Sequence, residues 1–246
     1  MKKINPQIVN RIKKLTSKGE SINKISRILK LKKSTVYYWY KKFNNKKLYK
    51  KFLINENLDD KTIGEFIGAF AGDGSYVKDK KYDHQIIFYI TRNDHKYIKH
   101  ISGLIKRIFD KFPYVYVRKN YNVSMIRIIS KTAYDFLKKF LDWEDKKTYS
   151  IHLKNRFILS QNFIQGFLKG ILDTDGFVNK DMKRIVFSTT SKHLAEDIEE
   201  SLKMFNFNFF KNVHIDTRKN RKPLFLFEIN HSNFDKFMAT IQPVHE

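Results

Sequence analysis

The sequence predicts an α+β protein in which a small helical domain precedes two similar units. Apolar residues recur at helical spacing in residues 1–44. Further along, a pattern of glycines and an aspartate occurs twice at a constant offset of 102 residues, and segments with strand-like alternation follow each copy. We therefore predict a helical domain at 1–44, a linker at 45–59, and two related units at 60–148 and 149–246.

The charge of the chain indicates a polyanionic partner. Lys and Arg number 49 against 25 Asp and Glu, which gives a formal net charge of +24. Residues 1–51 hold 15 Lys and 2 Arg against the single acid Glu20, so this fifth of the chain carries +16. A ribosomal or other RNA-binding protein has the same composition, so charge alone identifies only the class of partner.

The chain has no cysteine, which excludes disulfides, zinc-thiolate sites and thiol nucleophiles. Carboxylates or histidines must then carry any metal chemistry. No apolar run approaches the roughly 18 residues of a membrane span, and no apolar region follows Lys2 and Lys3. We expect a cytoplasmic protein without a membrane segment.

Three short helices are predicted in the first domain. The first covers residues 6–17 and stops before Gly19. Ser21 is expected to cap the second helix and Ser34 the third. Three short helices with tight joints are typical of a helix-turn-helix, and a generic three-helix bundle is the alternative.

Residues 25–39 resemble the helix-turn-helix of resolvase and invertase DNA-binding domains. They depart from it at Ser26, where a small Ala is usual, and at Lys30, where a turn Gly is usual. The resemblance implies that side chains around the start of the third helix contact DNA. These are Lys32, Lys33, Ser34, Thr35, Tyr37 and Tyr38.

The repeated pattern places four residues of one unit in register with four of the other. Glycines four residues apart lie on one face of a helix and allow a second helix to pack almost backbone to backbone. If the two helices pack in parallel, Asp73 and Asp175 meet at their carboxyl ends, where the helix dipole disfavours an acid. A divalent cation would join two such carboxylates. A single Asp-Gly after a helix is often only a turn, but two matched copies disfavour that alternative. The matched residues are Gly64, Gly68, Asp73 and Gly74 with Gly166, Gly170, Asp175 and Gly176.

Residues 66–74 and 168–176 resemble the LAGLIDADG motif of homing endonucleases. The resemblance extends over residues 60–246 and implies that Asp73 and Asp175 bind catalytic Mg²⁺ or Mn²⁺. The earlier motif acid is present as Asp173 in the second copy, whereas Ala71 replaces it in the first. The backbone carbonyls of Gly72 and Thr174 are expected as further metal ligands.

Each unit fits a helix, two strands, a helix, two strands and a helix, so two pseudo-symmetric αββαββα half-domains are expected in one monomeric chain. Each half-domain then offers a sheet whose free face suits the major groove of double-stranded DNA. Two such sheets end to end would cover roughly 20 base pairs. The expected contacts are Lys78, Lys80, Gln85, Tyr89, Arg118, Arg127, Lys180, Arg184, Arg218 and Arg221.

The resemblance also implies further catalytic residues. Polar side chains at the end of the second strand of each half, Arg92 and Ser191, are expected near the attacking water. Lys146 and Lys147 fill the position of a family lysine that follows the last helix of the first half. The second half reaches Glu246 before an equivalent lysine occurs.

The implied activity is metal-assisted hydrolysis of one phosphodiester bond in each DNA strand. Two alternatives stay open: a DNA-binding regulator descended from such an enzyme, and an RNA-binding splicing helper of the same fold. The retained motif aspartates favour the nuclease, whereas the missing lysine and the added helix-turn-helix favour the regulator. Protein splicing is not expected, because the chain has no cysteine and ends in His-Glu.

Overall fold

The computed structural model divides the chain into two compact units, Met1–Lys51 and Phe52–Glu246. The division falls inside the segment predicted as a linker, most of which (residues 45–53) lies outside the described residues. No helix among the described residues is long and apolar enough to cross a membrane. The described residues are 5–43, 54–79, 83–117, 121–216 and 222–244.

The first unit contains three helices around a small apolar core. Ile12, Ile25 and Val36 contribute one fully buried side chain from each helix. Ser21 caps the second helix as predicted, since its hydroxyl accepts a hydrogen bond of 3.3 Å from the backbone N–H of Lys24. The helices are α1 (Pro6–Ser17), α2 (Ile22–Leu29) and α3 (Lys33–Phe43).

The turn between α2 and α3 differs from the sequence expectation at one residue. Helix α3 begins at Lys33, so Ser34 lies in its first turn and the prediction that Ser34 caps the helix is wrong. Lys30 has the left-handed conformation (φ 53°) that favours glycine. The Ser26 hydroxyl donates to the carbonyl oxygen of Leu31 at 2.7 Å and holds the turn together. The assignment of these helices to a DNA-binding helix-turn-helix stays a prediction.

The second unit begins with a half-domain of three helices and a four-stranded antiparallel sheet. The strand order in this sheet is β1-β2-β4-β3. The elements are α4 (Asp60–Ala71), β1 (Gly74–Asp79), β2 (Asp83–Thr91), α5 (His95–Phe109), β3 (Tyr114–Val117), β4 (Val123–Ile129) and α6 (Lys131–Phe140).

A short connection leads to the second half-domain. It contains a two-stranded ribbon of β5 (Leu141–Asp142) and β6 (His152–Leu153), with helix α7 (Lys147–Ser150) between the strands. A 3-10 turn at Arg156–Ile158 completes it. The sequence pattern did not predict these elements, because they are too short to show a period.

The second half-domain repeats the architecture of the first. Its sheet has the order β7-β8-β10-β9, which matches the first sheet strand for strand. The predicted α+β fold with two αββαββα half-domains is therefore confirmed. The elements are α8 (Gln161–Asp175), β7 (Gly176–Asn179), β8 (Arg184–Thr189), α9 (Lys192–Met204), β9 (Phe209–His214), β10 (Leu224–Ile229) and α10 (Phe234–Ile241).

One continuous core joins the two half-domains and fixes which sheet face stays free. On the central strand β2, Ile86, Phe88 and Ile90 are buried against the helices. Phe187 and Phe227 are buried on the corresponding face of the second sheet. Because side chains alternate along a strand, the intervening residues project from the opposite face of each sheet.

Candidate active site

Helices α4 and α8 pack almost backbone to backbone through the predicted glycines. A Cβ atom at Gly64 would lie 2.0 Å from the carbonyl oxygen of Phe163, and one at Gly68 would lie 2.2 Å from that of Phe167. Gly166 and Gly170 approach α4 equally closely. No side chain fits in this contact, so the prediction made from the glycine spacing is confirmed.

The carboxyl ends of the two helices meet at the motif aspartates. A Cβ atom at Gly72, the residue before Asp73, would lie 3.3 Å from Oδ2 of Asp175. The same atom would collide with the Thr174 side chain at 2.1 Å. Asp73 and Asp175 are exposed, so both carboxylates are open on the solvent side while protein packs against them on the other. The structure therefore brings the two predicted metal ligands to one place.

The electrostatic environment of these carboxyl groups is unfavourable for two negative charges. Desolvation by the surrounding protein and the charge of Asp73 raise the pKa of Asp175 to about 6, although Lys147 lowers it. Desolvation also raises the pKa of Asp73, and Lys147 again acts in the opposite direction. A cation between the carboxylates would relieve this repulsion.

Lys147 lies at the end of α4. Its ammonium donates to three successive carbonyl oxygens, those of Phe70 (2.7 Å), Ala71 (2.7 Å) and Gly72 (2.9 Å). These oxygens form the negative end of the helix dipole and lack partners within the helix. Burial lowers the pKa of Lys147 to about 8, although Asp175 and Asp73 raise it.

Two cavities flank the helix ends, and Asp73 lines both. The lysine-side cavity, about 680 Å³, lies beside the end of α4 and is lined by Lys146 and Lys147. The acidic cavity, about 300 Å³, lies beside the end of α8 and is lined by Asp94 and Asp173. No Lys, Arg or His is found among the described residues that line the acidic cavity.

Asp173, the earlier motif acid of the second copy, has a structural partner. Its Oδ1 accepts a hydrogen bond of 2.7 Å from the backbone N–H of Val244. The carbonyl oxygen of Val244 accepts from Lys96 at 2.7 Å. Asp173 thus anchors the segment after α10 to α8.

The two residues predicted beside the attacking water differ in their surroundings. Arg92 follows β2 and is exposed. Ser191 is fully buried, and its hydroxyl caps α9 and donates to the carbonyl oxygen of Ile151 at 2.8 Å. A hydroxyl enclosed in this way cannot reach water on the sheet face, so the structure gives Ser191 a capping role instead of the expected catalytic one.

Several predicted contacts lie on the free face of the first sheet. The strand register places Gln85, Tyr89 and Arg127 on this face. Arg127 donates to Oε1 of Gln85 at 3.4 Å, and its guanidinium lies over the Tyr116 ring. Lys78 pairs with His84, so it projects from the helix side of the sheet, and its predicted place on the free face is wrong.

In the second sheet, Arg184 lies on the free face and forms a 2.9 Å ion pair with Glu228. Lys180 lies in the turn between β7 and β8.

In the first unit, five of the predicted contacts are exposed: Lys32, Lys33, Ser34, Tyr37 and Tyr38. Thr35 is half-buried. The other predicted contacts, Lys80, Arg118, Arg218 and Arg221, lie outside the described residues.

Comparison with known proteins finds a family match within the second unit. Residues 162–242 match the family described as the LAGLIDADG-like domain. The chain contains a LAGLIDADG-like domain. The match covers the second half-domain, and the strand order of the first half-domain is the same.

Solved LAGLIDADG structures share the fold over about three quarters of the chain. The structure of I-DmoI in complex with DNA and Ca has a TM-score of 0.55 and 20% identity, covering 74% of this chain and 89% of that one. The N-terminal LAGLIDADG domain of DUF199/WhiA has a TM-score of 0.50 and 15% identity, covering 75% of this chain and 86% of that one. At these identities the likeness concerns the fold.

Curated relatives come from Methanocaldococcus jannaschii. The replication factor C small subunit is 27% identical over 200 residues, which is 77% of this chain but only 10% of that protein. The RNA polymerase subunit Rpo1C is 28% identical over 171 residues, 66% of this chain and 18% of that protein. Protein MJ0398 is 24% identical over 243 residues, 96% of this chain and 83% of that protein. The chain thus spans a small part of the first and second of these relatives.

One cluster beneath the LAGLIDADG helices was not predicted. Glu65 of α4 is buried and receives His100 of α5 at 2.5 Å and Lys169 of α8 at 3.0 Å. Burial alone would raise the pKa of Glu65, but the hydrogen bond from His100 and the charge of Lys169 hold that pKa below its ordinary value. The three residues are far apart in the sequence, so no local pattern indicates the cluster.

Proposed function

We propose that the chain is a site-specific endonuclease that cuts double-stranded DNA. The observation that carries the proposal is the junction of the two LAGLIDADG helices, where Asp73, Asp175 and Lys147 meet between two free sheet faces. The net charge of +24 suits a polyanion. I-DmoI, which shares the fold, has been solved in complex with DNA and Mn or Ca.

Asp73 and Asp175 are the residues that would hold divalent ions, with the backbone carbonyls of Gly72 and Thr174 as further oxygen ligands. Both carboxylates have a raised pKa, Asp175 through desolvation and the charge of Asp73, and Asp73 through desolvation, and together they form a donor set that suits Mg²⁺ or Mn²⁺. Within the described residues no group of three or more Asp, Glu or His side chains could hold a metal ion, so the remaining ligands would come from backbone, water and phosphate. A bound divalent ion would supply Lewis-acid stabilisation of the phosphate oxygens.

Lys147 contributes in two ways in this proposal. It holds the carbonyl groups at the end of α4, which positions Asp73. Its ammonium also lies near both carboxylates and would stabilise the negative charge that develops on the scissile phosphate. Lys146 and Arg92 are exposed and would bind the DNA backbone.

The test is selection of a bound duplex from a random library, followed by cleavage assays in Mg²⁺ and Mn²⁺. Asp73→Asn and Asp175→Asn should abolish cutting and leave DNA affinity within about tenfold, because the sheet contacts remain. Asp145→Asn is the matched control, since this exposed acid lines the lysine-side cavity but does not follow a motif helix. Full-rate cutting by either motif variant would contradict the metal assignment.

A DNA-binding regulator without cleavage is the second candidate. The lack of a cation among the described residues lining the acidic cavity favours it, and so does the fold likeness to DUF199/WhiA, which is not described as an endonuclease. Specific binding without cuts in either metal ion would support this candidate against the first.

A further inference from the structure

The free faces of the two sheets differ in chemistry at matched positions. In each sheet, one side chain from each of the four strands contributes to a row across the free face. The row begins at the residue that follows the Asp-Gly of the motif. In the first sheet the row is Ser75, Ile87, Arg127 and Tyr114. In the second sheet it is Phe177, Val186, Glu228 and Phe210.

The row of the second sheet has an exposed apolar side chain at each of its two ends. Phe210 is 67% exposed and Phe177 is 51% exposed. Leu226 of β10 lies on the same face, is half-buried, and adds to this apolar surface beside β9. Exposed apolar surface that is grouped on one face of a sheet indicates a contact surface for a partner.

The same row does not suit contact with phosphate. Glu228 lies at its centre and pairs with Arg184 at 2.9 Å, so the row offers phosphate no net positive charge. Base edges in the major groove are the alternative partner for this row. The apolar group that the major groove offers is the 5-methyl of thymine.

We propose that the second sheet recognises thymine methyl groups in its half of the DNA target through Phe177 and Phe210, whereas the matched positions of the first sheet, Ser75 and Tyr114, do not. The inference rests on the proposed binding of double-stranded DNA. It is also supported by the position of the row, because Phe177 lies two residues beyond Asp175 and so faces the same duplex as the motif aspartates.

The experiment replaces thymine by deoxyuridine, which lacks only the methyl group, in one half of the selected duplex at a time. Because the chain has no cysteine, His214→Cys with a tethered iron chelate marks which half the second sheet contacts. We expect dU in that half to weaken binding by roughly fourfold for each contacted methyl, and dU in the other half to have no effect.

Phe210→Ser and Phe177→Ser should remove the sensitivity to dU, and Phe210→Leu should keep it. Tyr114→Phe, at the matched position of the first sheet, should leave the response unchanged. Equal dU penalties in both halves, or a penalty that persists in both Ser variants, would overturn this inference alone. Failure to select any duplex would overturn the proposed function and this inference with it.

Discussion

At the scale of single residues, the two helix ends are unequal. Lys147 donates to three carbonyl oxygens at the end of α4. Beside α8, Asp173 accepts a hydrogen bond from the backbone N–H of Val244. One side of the aspartate pair therefore has an ammonium group, whereas the described residues that line the acidic cavity include no Lys, Arg or His.

We predict that the two DNA strands are cut at different rates. The strand that lies in the acidic cavity lacks a cation to stabilise charge on its phosphate, and loss of one such group typically slows a reaction by about 10²-fold. Nicked plasmid should accumulate before linear product in a time course, with each strand labelled separately in a companion duplex. Equal rates without a nicked intermediate would show that a cation beside the phosphate in the acidic cavity is not needed for cutting.

Sequence reasoning succeeded for residues whose pattern is repeated and failed for residues whose role depends on distant partners. Asp73 and Asp175 could be found because their glycines recur in register. Ser191 stands where a strand ends and a helix begins, and the sequence does not say which role its hydroxyl takes. Lys78 was misplaced because a shift of one residue along a strand changes the sheet face.

At the scale of elements, the contact between α4 and α8 depends on glycines that no other residue can replace. Gly68→Ala should lower the free energy of unfolding by about 3 kcal/mol, because its Cβ would lie 2.2 Å from the Phe167 carbonyl oxygen and force the helices apart. The measurement is the midpoint of chemical denaturation.

Gly103→Ala in α5 is the matched control. A Cβ at Gly103 meets no atom within 4 Å, so alanine should raise the free energy of unfolding by about 0.5–1 kcal/mol through helix propensity. Similar losses at both positions would mean that the helix contact is not the cause.

The Glu65 cluster joins α4, α5 and α8 and should make stability depend on acidity. The pKa of Glu65 is lowered in the folded protein, so its stabilising contribution is present above the ordinary value of 4.5 and is lost as pH falls through the folded pKa. Glu65→Gln should cost about 3 kcal/mol at pH 7, because His100 and Lys169 lose their buried partner.

Thermal unfolding of the wild type and of Glu65→Gln, measured at about four pH values between 7 and 3, would test this pH dependence. The variant should unfold at a lower temperature near neutrality, and the difference from the wild type should shrink below the ordinary Glu pKa. Exposed Glu56→Gln serves as the control, with no change expected. A constant difference across the range would show that ionisation of Glu65 contributes nothing.

The short elements between the half-domains mark the limit of element prediction. The long helices and the two sheets follow from clear periods, whereas α7 has only four residues. Yet α7 begins with Lys147 and so positions the one lysine that acts on both aspartates within the described residues. The position of α7 depends on tertiary packing, which periodicity does not indicate. Lys147 was predicted only through the resemblance to the family.

At the scale of the whole molecule, the charge is concentrated in the first unit. We predict that deletion of residues 1–50, which carry nearly all of the +16 of residues 1–51, weakens DNA binding and flattens its salt dependence. For every phosphate that the protein no longer neutralises, the slope of log affinity against log salt should fall by about 0.9. Binding titrations at several salt concentrations give the slope.

Lys32→Gln with Lys33→Gln in the full chain is the companion variant, because both side chains are exposed and the fold of the first unit is kept. It should lower the slope by up to about 1.8, at 0.9 for each phosphate that these lysines bind. A slope unchanged by the deletion would mean that the first unit does not touch DNA.

In the proposed complex with DNA, the interlocked glycines would also set the spacing of the two half-sites. Strands β1 and β7 begin within three residues of the ends of α4 and α8, so each sheet is held directly by a helix that cannot slide on the other. One base pair inserted between the two half-sites would move one of them by about 3.4 Å and turn it by roughly 35° about the duplex axis. In the proposed complex the protein would therefore discriminate by the distance between half-sites as well as by their sequence, and it would not bind genomic sites whose correct halves lie in the wrong helical phase.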